Sequence, residues 1–244
     1  MDKSVVKLNQ RTILAILIVF SILQALYNAL LPIYLDEAYY WVWAMRPEFS
    51  YYDHPGMVAW MIYPFTFIAN NEFTIRLSTV IAMSVTVWYL VKVSLEAFQN
   101  DEEKNTAWYV FFIFIANPAV HMGYVFITPD SPLMMFWAAG LYYTFMALKY
   151  GKTKDFIISG FLVGAMMLSK YAGILFPAAV FGAIKAKIAK RICRYITGET
   201  IIVDNILKWL VVPKTYIERG AVINVAAVPV IIAVLIIPYP DFII

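Results

Sequence analysis

The stretch TILAILIVFSILQALYNALL, residues 12–31, runs directly into PIYLDEAYYWVWA, residues 32–44. The first stretch is mostly apolar and has the length that an α-helix needs to cross the hydrocarbon core of a bilayer, about 20 residues. The second stretch places two adjacent carboxylates among tyrosine and tryptophan side chains, which favour the membrane–water interface. Because carboxylates at the edge of a bilayer are costly to keep there, this junction predicts a spanning helix that leads into a functional segment.

The composition of the whole chain also indicates a membrane protein. Of its 244 residues, 62% are hydrophobic and 14% are charged, whereas a soluble domain is about 45–50% apolar and about 25% charged. The net charge of +3 is small, and no basic stripe with interleaved stacking residues is present, so we predict no nucleic-acid partner. The single cysteine, Cys193, excludes an internal disulfide and a cysteine-based zinc cluster.

Apolar runs predict an all-α fold, a polytopic bundle of about seven transmembrane helices. The shorter apolar stretch 56–69 contains Pro64 and is assigned to an interfacial or re-entrant helix within the first extracytosolic loop, residues 32–72. The seven predicted spans are residues 12–31, 73–98, 106–127, 131–148, 156–168, 173–184 and 221–237.

Basic residues predict the orientation of these spans. With the N-terminus in the cytosol, only Arg46, Arg76 and Lys170 of the 19 lysines and arginines fall on the outer side, as the positive-inside rule requires. We therefore expect a multi-pass protein of the plasma (inner) membrane with its acidic motifs on the extracytosolic face. Residues 185–220 are basic and amphipathic, which predicts a cytosolic linker on the membrane surface. Residues 221–244 hold the last span, and their apolar end predicts a truncated chain.

The pair Asp36-Glu37 is the first candidate for chemistry. On a helix over residues 35–44, Asp36 and Tyr40 are four positions apart and share one face. A carboxylate at the edge of apolar surroundings can serve as a general base. The alternative is structural, since acidic residues in a first helical turn also stabilise the helix dipole.

Two further acidic motifs, Asp53-His54-Pro55 and Thr128-Pro129-Asp130, are open to the same choice. Asp53 and His54 could hold a hydroxyl group or a divalent cation, or Asp53 could cap a helix that begins near Pro55. Asp130 could likewise be an N-cap. One histidine with scattered carboxylates is a weak signal for a metal, so a divalent cation stays an open alternative and no other cofactor is predicted.

Lys170 lies at the extracytosolic end of a hydrophobic hairpin, against the general charge asymmetry. Its side chain either extends to the interface or binds a phosphate as a compact point charge, with Tyr171 beside it as a hydrogen-bond donor. Carboxylates and a cation at one membrane face suit group transfer from a lipid-borne phosphate. The chain contains no glycine-rich phosphate loop and neither a G-x-S-x-G nor an H-E-x-x-H motif, so nucleotide donors and the common hydrolases are unsupported.

Four segments together resemble a known family: DEAYYW (36–41), YYDHPGMVAW (51–60), TPDSPL (128–133) and LSKY (168–171). In order and spacing they are similar to the GT-C-type integral-membrane glycosyltransferases. The most similar members are bacterial and archaeal relatives of protein O-mannosyltransferases and of the lipid A aminoarabinose transferase. Members of this family are longer than this chain, so the resemblance implies that residues 1–184 correspond to an N-terminal transmembrane catalytic half.

The resemblance implies transfer of a sugar, with inversion, from a polyprenyl-phosphate donor to a hydroxyl of a lipid, glycan or protein acceptor. Asp36 matches the position of the general base, and Lys170 matches a lysine that faces the donor phosphate. The candidate catalytic residues are Asp36, Glu37, Asp53 and Asp130, and the candidate substrate-binding residues are Tyr40, His54, Lys170 and Tyr171.

Two other classes of function stay open beside this one. A protein that binds or transports lipid-linked sugars would need polar residues along its spans, where the sequence offers few: Asn28, Asn117 and His121. A partner-dependent subunit would require a C-terminal partner half for activity. All three classes share membrane lipids as partners.

Overall fold

The computed structural model describes residues 10–98, 106–118, 121 and 125–185. Every regular element in these residues is helical, apart from an isolated antiparallel bridge between Ser50 and Pro55, in agreement with the predicted all-α class. The helices are α1 (Gln10–Asn28), α2 (Leu35–Ala44), α3 (Met57–Thr66), α4 (Glu72–Ala97), α5 (Thr106–Ala116), α6 (Asp130–Tyr150), α7 (Thr153–Ser169) and α8 (Tyr171–Lys185), which begins with the 3-10 turn Tyr171–Ile174.

Among the described residues, α1 and α4 are the two helices long and apolar enough to cross a membrane. The helices α3, α5 and α8 are apolar but shorter. With 21 residues, α6 has the length, but its tyrosine, tryptophan and threonine side chains lower its hydropathy. The predicted count of seven spans is therefore not confirmed. The predicted span 221–237 and nearly all of the predicted linker 185–220 lie outside the described residues.

Two short helices, α2 and α3, form the predicted first loop and pack against the beginning of α4. A buried cluster joins Tyr40 and Trp43 of α2 to Val58 and Ile62 of α3 and to Ile75 of α4. Ile127, just before α6, completes the same cluster. This packing fixes the first loop on the helix bundle and brings α2 close to the start of α6.

The helices α6 and α7 form a tight antiparallel hairpin. Gly151 ends α6 with a left-handed backbone (φ 67°), a conformation that favours glycine, and α7 begins two residues later. After α7, Lys170 is extended and the chain turns back at once. A Cβ at Gly173 would lie 2.6 Å from the backbone carbon of Met166, so only glycine allows this close return, which holds Lys170 at the end of the hairpin.

A polar contact joins the C-terminal ends of α4 and α6. The ammonium of Lys149 donates to the backbone oxygen of Glu96 at 3.0 Å and to its carboxylate at 3.2 Å. The hydroxyl of Tyr150 donates to the same carboxylate at 3.1 Å. The contact ties the last turn of α4 to the last turn of α6.

Candidate functional site

The two carboxylates at the start of α2 point in different directions. Consecutive helical residues are about 100° apart around the helix axis, so only one of an adjacent pair can face the interior. Asp36 is exposed, and its carboxylate has no hydrogen-bond or ion-pair partner in the described part of the chain, whereas Glu37 is fully buried. The predicted pair is thus one accessible carboxylate and one enclosed carboxylate.

Glu37 is held by Arg76, which lies one turn into α4. The arginine Nε donates to Glu37 Oε1 at 2.9 Å and its Nη2 donates to Oε2 at 2.5 Å. The remaining N–H groups donate to the backbone oxygens of Asn28, Leu31 and Pro32 at 2.7–2.8 Å. The side chains of Arg76 and Glu37 are 1% and 0% exposed, so the pair is enclosed between α1, α2 and α4.

The loop that carries Asp53 and His54 is fastened to α2 and α3. Tyr51 stacks on Trp43 with ring centres 4.0 Å apart and planes 8° apart, and its hydroxyl donates to the backbone oxygen of Arg46 at 2.8 Å. A Cβ at Gly56 would lie 2.0 Å from the backbone oxygen of Glu48, so glycine is required where the loop closes. These contacts hold Asp53 and His54 over α2.

The capping interpretation fails for both Asp53 and Asp130. The N-cap of α3 is Gly56, which lies beyond Asp53, and Asp53 instead accepts a hydrogen bond from the Tyr39 hydroxyl at 3.3 Å. The N-cap of α6 is Pro129, without a side-chain capping hydrogen bond. Neither carboxylate is used to begin a helix, so both are available for other contacts.

Asp130 pairs with Lys170 instead. The lysine Nζ lies 2.9 Å from Oδ1 and 3.0 Å from Oδ2, so the ammonium bridges both carboxylate oxygens. The side chains of Lys170 and Asp130 are 23% and 34% exposed. The pair joins the start of α6 to the end of α7 and is open to solvent. Tyr171 follows it with an exposed side chain.

Tyr40 is affected by all three of the other predicted carboxylates. Burial, followed by the negative charges of Asp53 and Asp36, raises the pKa of Tyr40 to about 12, and Tyr39 and Asp130 contribute in the same direction. The negative charges of Asp36, Asp53 and Asp130 therefore act on one buried phenol. Its hydroxyl stays neutral and able to donate a hydrogen bond across the physiological range.

His54 completes this group beside Tyr40. Its ring centre is 6.5 Å from that of Tyr40, and its Nδ1 is buried without a hydrogen-bond partner within the described residues. A ring contact, an ion pair and the charge effects on Tyr40 thus link six of the predicted residues into one cluster: Asp36, Tyr40, Asp53, His54, Asp130 and Lys170. Glu37 lies behind the cluster.

The open alternative of a divalent cation at Asp53 and His54 finds little support. The described residues contain no group of three or more histidine, cysteine, aspartate and glutamate side chains that could hold a metal ion. A divalent cation at Asp53 and His54 would therefore need further ligands from water or from the substrate.

Arg76 is the part of the site that the residue motifs did not predict. The sequence did indicate that Arg76 is unusual, because an arginine inside an apolar run needs a partner when it is buried. The charge asymmetry singled it out as one of three outer basic residues. Only the fold shows that its partner is Glu37, 39 positions away.

Comparisons with known proteins found one family and one curated relative to which the chain is similar. A family profile described as dolichyl-phosphate-mannose-protein mannosyltransferase matches residues 53–232. The chain is 28% identical over 141 residues to the lipid A galacturonosyltransferase RgtD of Rhizobium johnstonii, an alignment that covers 57% of this chain and 29% of that protein. The chain thus matches less than a third of the length of this curated relative. No solved structure shows significant similarity.

Proposed function

Because the chain belongs to the dolichyl-phosphate-mannose-protein mannosyltransferase family, we propose that it is a membrane glycosyltransferase. It transfers a sugar from a polyprenyl-phosphate donor to an acceptor hydroxyl at the extracytosolic face of the plasma membrane, with inversion at the anomeric carbon. The observation that carries the proposal is the cluster around Tyr40, in which the charges of Asp36, Asp53 and Asp130 act on one phenol and Asp130 forms a partly exposed pair with Lys170.

Asp36 is the general base in this proposal. Its carboxylate is exposed and without a partner among the described residues, so a substrate hydroxyl can reach it. It takes the proton of the acceptor hydroxyl while that oxygen forms the new bond to the anomeric carbon. General-base catalysis of this kind contributes about 10²–10⁴-fold to the rate.

Lys170 receives the leaving phosphate. The bond between the anomeric carbon and the phosphate oxygen breaks, and its electron pair leaves with the polyprenyl phosphate, which gains one negative charge. Among the described residues, the ammonium of Lys170 is held by Asp130, in a partly exposed pair. Such pairs contribute only about 0–1 kcal/mol to stability, so a phosphate can displace the carboxylate at little cost.

The remaining side chains of the cluster orient the substrates. Tyr40 offers a neutral hydroxyl, and the half-buried ring of His54 lies beside it. Tyr39 and Tyr52 are exposed beside Asp53, where their aromatic faces can pack against the apolar face of a sugar ring. These contacts hold the sugar between the base and the phosphate site.

A second candidate function is the binding or transport of lipid-linked sugars. It is favoured by Gln24 and Asn28, which lie one turn apart in α1, are buried, and have side-chain amides without partners in the described part of the chain. Polar groups of this kind inside a spanning helix are costly and suggest a polar path. Movement of labelled polyprenyl-phosphate sugar across vesicles by the purified chain would favour this candidate over transfer.

The test of the proposed function is transfer by membranes that contain the full chain, assayed with radiolabelled polyprenyl-phosphate sugars and membrane lipid acceptors. Asp36→Asn should reduce transfer by about 10²-fold or more, because it removes the base and keeps the shape of the side chain. The matched control is Glu72→Gln, which neutralises another exposed acid in a first helical turn and should leave transfer unchanged. Equal turnover in Asp36→Asn and the parent would refute the role of Asp36.

A further inference from the structure

We propose that Arg76 and Glu37 form a positioning joint that sets where Asp36 stands relative to the Asp130–Lys170 pair. The inference rests on the proposed function of that site. Arg76 then has a role in the site. Glu37 has a positioning role, in place of the catalytic role predicted from the sequence.

Arg76 donates five hydrogen bonds, one for each N–H group of its side chain. A guanidinium has five N–H groups in a fixed planar fork. One Nε and two Nη atoms here reach five acceptors: both oxygens of Glu37 and the backbone oxygens of Asn28, Leu31 and Pro32. The end of α1 and the turn into α2 are therefore fastened to one side chain of α4.

Glu37 extends the joint toward the other half of the site. Its Oε2 accepts the backbone N–H of Tyr34 at 3.0 Å, and its Oε1 accepts the backbone N–H of Ile127 at 3.3 Å. Ile127 is three residues before Asp130, and Glu37 directly follows Asp36. One buried carboxylate thus connects the segments that carry the proposed base and the proposed phosphate site.

This geometry excludes a direct role in the reaction. Glu37 is 0% exposed and both of its oxygens are occupied by two donors each, so no acceptor hydroxyl can reach them. A buried ion pair is also weak evidence for stability, because desolvation of the charges offsets much of their attraction. The paired hydrogen bonds of the Arg76 guanidinium fix the direction and the distance of Glu37 relative to α4. Apolar packing would hold this geometry less strictly.

A displaced base has a characteristic kinetic effect. A misplacement of about 1 Å can cost about 10²-fold in rate. Asp36 acts on the proton only in the transition state, so its displacement should lower kcat and leave the KM for the donor unchanged. A purely structural pair would lower the amount of folded protein and leave kcat per folded molecule as it was.

The experiment compares Arg76→Lys with Arg46→Lys in the full chain in nanodiscs. Arg76→Lys keeps the charge and loses the fork, whereas Arg46 is an exposed arginine of the same predicted face. We expect Arg76→Lys to lower kcat by about 10²-fold with donor KM unchanged, and Arg46→Lys to behave like the parent. Glu37→Gln, which keeps the shape and removes the charge, serves as the second variant if Arg76→Lys does not fold.

A distance measurement separates this inference from the proposed function. Spin labels at Leu35 and Tyr171, both exposed, in a Cys193→Ser background report the separation of α2 from the end of the α6–α7 hairpin. The distance distribution should broaden or shift in Arg76→Lys and stay unchanged in Arg46→Lys, whether or not the chain transfers sugar. An unchanged distance distribution in Arg76→Lys would show that Arg76 and Glu37 do not position Asp36. A normal kcat per folded molecule with only a lower Tm would show the same.

Discussion

Two ion pairs, Glu37–Arg76 and Asp130–Lys170, differ in what surrounds them. Glu37–Arg76 is enclosed, with every donor of the guanidinium occupied. Asp130–Lys170 is partly exposed, and its lysine has the carboxylate as its partner. In the proposed mechanism the same kind of contact has two roles, because an enclosed pair cannot exchange partners and a partly exposed pair can.

The largest effect is expected from breaking the enclosed pair completely. Arg76→Gln leaves Glu37 buried without a counter-charge, which should lower the free energy of unfolding by about 3–5 kcal/mol. Thermal unfolding in detergent, with Lys170→Gln as the matched removal of a cation, measures the difference. A loss of stability no greater than that of Lys170→Gln would mean that the two pairs are equivalent.

Breaking the partly exposed pair Asp130–Lys170 should affect stability little and sugar transfer strongly. Lys170→Gln should cost less than about 1 kcal/mol of stability and reduce transfer by about 10²–10³-fold, the usual loss when one preorganised electrostatic group is removed. The control is Lys154→Gln, which removes an exposed lysine from the beginning of the same helix. Full transfer by Lys170→Gln would remove the phosphate-binding role of this lysine.

Tyr40 gives the smallest and most local effect, because burial and the negative charges of Asp53, Asp36 and Asp130 act on its hydroxyl. Its folded-state pKa is raised from the ordinary 10.0 to about 12. The neutral phenol therefore adds stability that is complete below pH 10 and is lost as the pH rises from about 10 through about 12. The fall of Tm over this range should be shallower in Tyr40→Phe than in the parent and in the exposed control Tyr52→Phe. Equal slopes in all three proteins would show that Tyr40 does not carry this dependence.

Much of the site could be predicted from local sequence signals. The first turn of α2 brought Asp36 and Tyr40 to one face because their spacing is helical, and the structure keeps them near each other. The position of Lys170 against the charge asymmetry marked it as exceptional. These signals depend on a few neighbouring residues, which is the range over which sequence patterns are informative.

The pairings could not be predicted, because they depend on which helix ends meet. Lys170 and Asp130 are 40 positions apart, and they meet only because Gly151 and Gly173 allow tight returns. Asp36 is exposed and Glu37 is buried because α4 packs against only one side of α2. The capping role considered for Asp53 and Asp130 was wrong because tertiary contacts, rather than the start of a helix, engage their carboxylates. The span count was not confirmed because several of the predicted spans form short helices, polar and aromatic side chains lower the hydropathy of α6, and one predicted span lies outside the described residues.

The contact of Lys149 and Tyr150 with Glu96 gives α4 a second anchor, at the end opposite Arg76. From position 76 to position 96 an α-helix rises about 30 Å, which is about the thickness of the hydrocarbon core of a bilayer. A helix held by polar contacts at both ends of this length cannot slide or tilt against α1, α2 and α6 without breaking one of them. The separation of the two contacts is therefore set by the helix itself, at about the thickness of a hydrocarbon core.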